Sequence, residues 1–67
     1  MRYYEVKRDS TGKYKVLIYK VLFSFLVPVF TGYTENVKAV NEMLRYYQKS
    51  TGTTLSTAYS YRASAGR

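Results

Sequence analysis

Neither cysteine nor histidine occurs in these 67 residues, which leaves a chain of this length few ways to brace itself. Small domains bury a modest fraction of their surface and lean on disulfides, a metal or a partner chain. Without cysteine, disulfides and thiolate metal sites are excluded. Without histidine, the commonest metal ligand and the commonest general base are missing too. Apolar packing must hold the fold, and self-association is the bracing device that remains. One compact domain is expected over residues 1–62, with a flexible tail over 63–67, where the composition turns small and polar.

Apolar residues make up 46% of the chain, enough for a folded core, and nine tyrosines with no tryptophan supply much of that material. A tyrosine carries a large apolar ring and a hydroxyl that must reach a partner or water. It therefore suits thin cores, interfaces and stacking surfaces alike.

Residues 2–8 and 13–27 read as two strands joined by a tight turn. Asp9-Ser10-Thr11-Gly12 is turn chemistry: Asp and Ser side chains bond the local backbone, and Gly tolerates positive φ. Tyr3, Tyr4, Val6, Tyr14, Val16, Ile18 and Tyr19 favour a pleated surface. In the first strand Tyr4 and Val6 point one way, and Tyr3, Glu5 and Lys7 the other. In the second, Tyr14, Val16, Ile18 and Lys20 oppose Lys13, Lys15, Leu17 and Tyr19. From Val21 to Phe30 the run is apolar on both faces. A central strand covered on both sides, a bend into a third strand, or a subunit interface would each account for it. Pro28 cannot donate to a ladder, so pairing should stop or shift to an edge there, with a bend between Ser24 and Pro28.

Thr31-Gly32-Tyr33-Thr34 reads as a loop leading into a helix over residues 35–50. Thr34 is the expected N-cap, Glu35 lies at the positive end of the dipole, and Val37, Val40, Leu44 and Tyr47 form an apolar stripe flanked by Met43. Gly52 is placed to close the helix in left-handed geometry. Beyond it, Leu55, Thr57, Tyr59 and Tyr61 alternate as in a short strand, or else belong to a segment that orders on a partner. The expected fold class is α+β: a small twisted antiparallel sheet of two to four strands with one amphipathic helix, about 35–50, packed on one face.

Catalytic chemistry is not indicated. Glu5, Asp9, Glu35 and Glu42 are scattered, no serine or lysine is marked as an activated nucleophile, and no phosphate-cradling glycine loop is present. Clustered acids for an oxygen-ligand metal site are lacking. The expectation is a binding protein without catalysis, metal or cofactor.

Charge gives that expectation its direction. Eleven Lys and Arg against four Asp and Glu leave +7 on the chain, which favours a polyanionic partner. Six of the cations lie in the first twenty residues, interleaved with tyrosines. Arg2, Tyr3, Lys7, Arg8, Lys13, Lys15, Tyr19 and Lys20 are therefore the candidate nucleic-acid-binding residues. The cations would contact phosphates of DNA or RNA with low sequence specificity, and the tyrosines would stack on bases. A solvated sheet face whose lysines guard against aggregation has the same composition. An acidic protein surface is the alternative partner, as for a phage-type inhibitor, and a self-assembling structural subunit is a third reading. A homodimer is expected through the 21–30 segment, with a membrane-surface hydrophobic hairpin with basic flanks as the lesser alternative. The start Met-Arg-Tyr-Tyr-Glu-Val-Lys-Arg lacks the apolar stretch of a signal peptide, and a cytoplasmic location, that of an infected host cell included, is expected. The order strand, turn, strand, apolar segment, helix resembles that of small β-sheet-plus-helix DNA-binding domains at the front of phage integrases. The likeness lies in element order alone. A short, Tyr-rich chain without Cys or His is also similar to small phage or plasmid accessory proteins.

Overall fold

The computed structural model of the chain describes residues 2–65. Its elements run β1 (Arg2–Arg8), β2 (Tyr14–Leu22), β3 (Phe25–Thr34), α1 (Val37–Thr51), β4 (Leu55–Thr57) and α2 (Ala58–Ala65). The four strands form one sheet in the order β3-β2-β1-β4. β1 pairs antiparallel with β2, and β2 with β3, while β4 joins β1 in parallel. The fold is thus α+β, with two helices where sequence periodicity predicts one.

The β1–β2 turn forms as its residues dictate. Asp9 Oδ1 accepts from the backbone amides of Thr11 and Lys13, and Gly12 takes φ +87°. The second turn is less orthodox. The two residues linking β2 to β3 are Phe23 and Ser24, both at positive φ (51° and 69°). Two-residue hairpins favour this twist but take Asn or Gly to achieve it; a phenylalanine held there stores strain of order 1 kcal/mol. That missing glycine is why 13–27 reads as one strand in the sequence.

β3 continues through the segment expected to be a loop. It holds Pro28 at the sheet edge, where no ladder donor is needed, and a bulge at Val29 shifts the register between Ile18/Phe30 and Tyr19/Pro28. The helix consequently starts two residues later than expected. Asn36, not Thr34, is the N-cap, its side chain accepting from the Lys38 amide at 2.8 Å. Gly52 closes the helix at φ +67°, its amide donating to the Gln48 carbonyl.

The core has two layers because β2 is central. Val16 and Ile18 face α1 and are fully buried, against buried Val40 and Leu44; Tyr4, Tyr14, Met43, Tyr47 and Leu55 pack around them. Gly32 lets α1 come close: a Cβ there would meet Met43 Sδ at 3.1 Å. Val37, expected in the stripe, is exposed. On the opposite face Leu17 and Tyr19 are buried against Ala58 of α2, with Tyr3 and Leu26 beside them. Cover on both faces therefore falls on the four apolar residues Val16–Tyr19, and not on the 21–30 run that follows.

α2 replaces most of the strand expected over 55–61. Thr57 caps it, its hydroxyl accepting from the Ser60 amide. Residues 63–65, expected to begin a flexible tail, close this helix, and residues 66–67 lie outside the described residues. No helix among the described residues is long and apolar enough to cross a membrane.

Candidate nucleic-acid interface

Cross-strand register sorts the candidate residues by face. Lys7 pairs with Lys15, and Lys15 with Tyr33, so these three form one row across β1, β2 and β3. Directly opposed residues of neighbouring strands share a face, and this row shares the face of Tyr3, Glu5 and Tyr19, away from α1. α2 covers only the other half of that face, around Tyr3 and Tyr19. The row is left open, with Tyr33 61% exposed and the Lys15 ammonium 5.8 Å from the Tyr33 ring centroid.

Beneath the row lies Glu5, and its charge is answered. Arg62 of α2 donates to Glu5 Oε2 at 2.8 Å, the Tyr19 hydroxyl donates to Oε1 at 2.8 Å, and the Lys7 ammonium stands 3.9 Å from the same oxygen. The Arg62 bond is the main reason that the Glu5 carboxyl titrates below its ordinary value, with Tyr19, and Lys7 more weakly, acting in the same direction. Burial, assisted by Glu5, pushes the Tyr19 hydroxyl up, so it keeps its proton and remains a donor. Three cations (Lys7, Lys15 and Arg62) thus face one acid whose acceptors are already engaged.

The remaining candidates lie elsewhere. Arg8 is on the α1 face, its guanidinium 5.7 Å from the Tyr14 ring centroid. Arg2 is also on that face, donating to the Tyr47 hydroxyl and lying over its ring. Lys20 is exposed opposite Val27, toward the far end of β2. Lys13 flanks the turn and stands 3.8 Å from Glu35, both well exposed. Tyr3 is stacked under Tyr61 of α2, ring centroids 4.9 Å apart, and Tyr19 is 8% exposed, so neither offers a free ring to a base. The eight residues do not form one surface. The pleat divides them, and α2 takes the two tyrosines for its own seat.

Two residues of this face escape the sequence reading. Tyr33 lies in a segment whose Gly32 and two threonines give it the look of a loop, although Thr and Tyr both favour a strand. Arg62 reaches Glu5 across 57 positions, and no local pattern signals that. Comparison with family models, with curated proteins and with solved structures finds no match.

The Glu5 network carries a pH signature. Its carboxyl binds protons less readily folded than unfolded, so the stability it contributes is present above the ordinary value of 4.5 and is lost as pH falls through the lowered folded value. Asp9 is lowered as well, chiefly by the Thr11 hydroxyl, and acts in the same range. Thermal melts of the wild type are expected to fall between pH of about 5 and about 3. Glu5→Gln should flatten that fall without abolishing it. An unchanged pH dependence in the variant would remove Glu5 from this role.

Proposed function

We infer that the protein binds nucleic acid through the open half of the sheet face opposite α1. The observation that carries this reading is the cross-strand row Lys7–Lys15–Tyr33, two ammonium groups and an exposed ring on adjacent strands with no acid left unanswered beneath them. Adjacent strands are spaced about 4.8 Å apart, close enough for both lysines to reach phosphates of one backbone. Lys13, at the same end of β2, extends the track once its exposed pair with Glu35 gives way, and such pairs are weak.

Within this row Tyr33 offers an exposed ring on which an unpaired base can stack, a contact made without regard to sequence. Recognition is therefore electrostatic and largely indifferent to sequence, with single strands gaining the stacking contact. The net charge of +7 adds long-range attraction. No enzymatic step is assigned.

Electrophoretic shifts against single- and double-stranded DNA and RNA over a salt series test this. Affinity should fall with salt, by about 0.9 log unit per log unit for each B-DNA phosphate neutralised. A complex indifferent to salt, or no complex at low salt, rejects the reading. An acidic protein partner would instead persist in pull-downs from nuclease-treated lysate.

A further inference from the structure

We propose that the β2–β3 turn is a finger that inserts into the interface of an anionic lipid bilayer, a role separate from the open sheet face at the other end of β2. The pairing of β1 with β2 starts at Tyr3 and Tyr19. Past that rung, among the described residues, β2 and β3 pair with each other, Lys20 with Val27, Val21 with Leu26 and Leu22 with Phe25. Two residues, Val21 and Leu22, at about 3.3 Å each carry the hairpin's end about 7 Å beyond Arg2, the first residue of β1.

What it presents there is apolar. Phe23 is 85% exposed, Phe25 72%, Leu22 46% and Val21 41%. The backbone is also unusual, because Phe23 and Ser24 both hold positive φ where Asn or Gly would sit without strain. Among the described residues Phe23 is the most exposed large apolar side chain, and no contact between them accounts for its strained backbone. Tyr61 of α2 braces the finger from one side, its hydroxyl donating to the Ser24 carbonyl, and leaves Leu22, Phe23 and Phe25 free.

Charge selects the occupant. No Asp or Glu occurs from Ser10 to Thr34. Lys20, exposed on the same face of β2 as Leu22, is the cationic collar of the finger, whereas the guanidinium groups of Arg2 and Arg62 are held by Tyr47 and Glu5. A second copy docked on this finger would bring two such cationic collars together, between chains that each carry +7. The β3 edge, interrupted by Pro28 and the Val29 bulge, also resists strand addition. An anionic bilayer reverses the sign: the apolar tip enters the acyl boundary, at a depth of about 5–10 Å, while the collar meets headgroup phosphates. Four apolar side chains spread over both faces suit a lipid interface better than a gap between two base pairs, which admits a single wedge.

The test is co-sedimentation of the whole chain with vesicles of equal parts phosphatidylcholine and phosphatidylglycerol, and with phosphatidylcholine alone. Phe23→Asn with Phe25→Thr is the decisive variant. Asparagine suits the positive φ and threonine suits a strand, so this protein should melt no lower than the wild type. The wild type is expected on the anionic vesicles and only weakly on the neutral ones, with the variant partitioning roughly tenfold less or worse. Lys20→Glu should also reduce binding. Wild-type chain that stays in the supernatant overturns the proposal, as does a variant that binds as well as the wild type. A dimer in vesicle-free sedimentation that this variant dissolves, or an equal loss of nucleic-acid affinity in the variant, would assign the finger to another copy or to nucleic acid and overturn it too. The salt-series shifts of the wild type stand apart from these outcomes.

Discussion

Ile18→Ala is expected to leave the domain largely unfolded at room temperature. Among the described residues Ile18 and Val16 are the largest fully buried side chains, and Ile18 lies midway along β2 beneath α1, with Val40 and Leu44 above it. Truncating a buried isoleucine to alanine costs about 2–5 kcal/mol, the upper range applying where neighbours cannot collapse into the cavity. Here they have little freedom to do so, because β2 is paired on both sides along this stretch. A domain of this size rarely has more than about 3–5 kcal/mol in total. Loss of the cooperative thermal transition by circular dichroism, with collapse of amide shift dispersion in NMR, is the expected readout. A variant that still melts cooperatively within a few degrees of the wild type would show that the core is not centred on β2. Replacing exposed Val37 in the same way should have little effect, although the apolar stripe in the sequence includes both Val37 and Val40.

Reversing both lysines of the open row, Lys7→Glu with Lys15→Glu, is expected to weaken nucleic-acid binding by about a hundredfold or more at low salt. Each lost phosphate contact removes about 0.9 from the salt slope, so the slope should fall by about 2. The comparison that gives this meaning is Lys38→Glu with Arg45→Glu on α1, which changes the net charge equally but alters exposed positions remote from the row. If both double variants lose affinity alike, binding reflects overall charge and the row is not a site. Tyr33→Ala should weaken single-strand binding by about 1–3 kcal/mol, the range found for a stacked base, with a smaller effect on duplex. Fluorescence anisotropy with short oligonucleotides at two salt concentrations measures all three.

How far sequence foresaw this molecule differs from element to element. The Asp9–Gly12 turn and the Gly52 cap were legible because each is a local bargain between one side chain or one φ angle and backbone groups a few residues away. The α1 stripe was legible for the same reason, its period being a property of the helix. Thr34 and Asn36 show where that ends. Either side chain can cap a helix, and the choice depended on β3 pairing with β2 as far as Thr34, which consumes the backbone of the expected loop. The Phe23-Ser24 turn was illegible because it breaks the rule by which such turns are found.

The candidate interface divides along the same line. That Lys7 and Lys15 would lie near each other follows from the turn alone. That Tyr33 would join them depended on the register of β3, and that Tyr3 and Tyr19 would be withdrawn depended on α2, a short helix with little amphipathic signal of its own.

By itself, then, the amino-acid order determined the class of fold, the first hairpin, the long helix and the excess of positive charge, since propensity, turn chemistry and composition act over a few residues at a time. Only the tertiary structure decided which face of each strand was covered, which cations remained open and where the apolar run emerged. Those outcomes turn on contacts such as Arg62 with Glu5 and Ala58 with Leu17 and Tyr19. Segments some 40 to 60 positions apart compete there for one sheet, and their summed packing, rather than any local preference, sets the result.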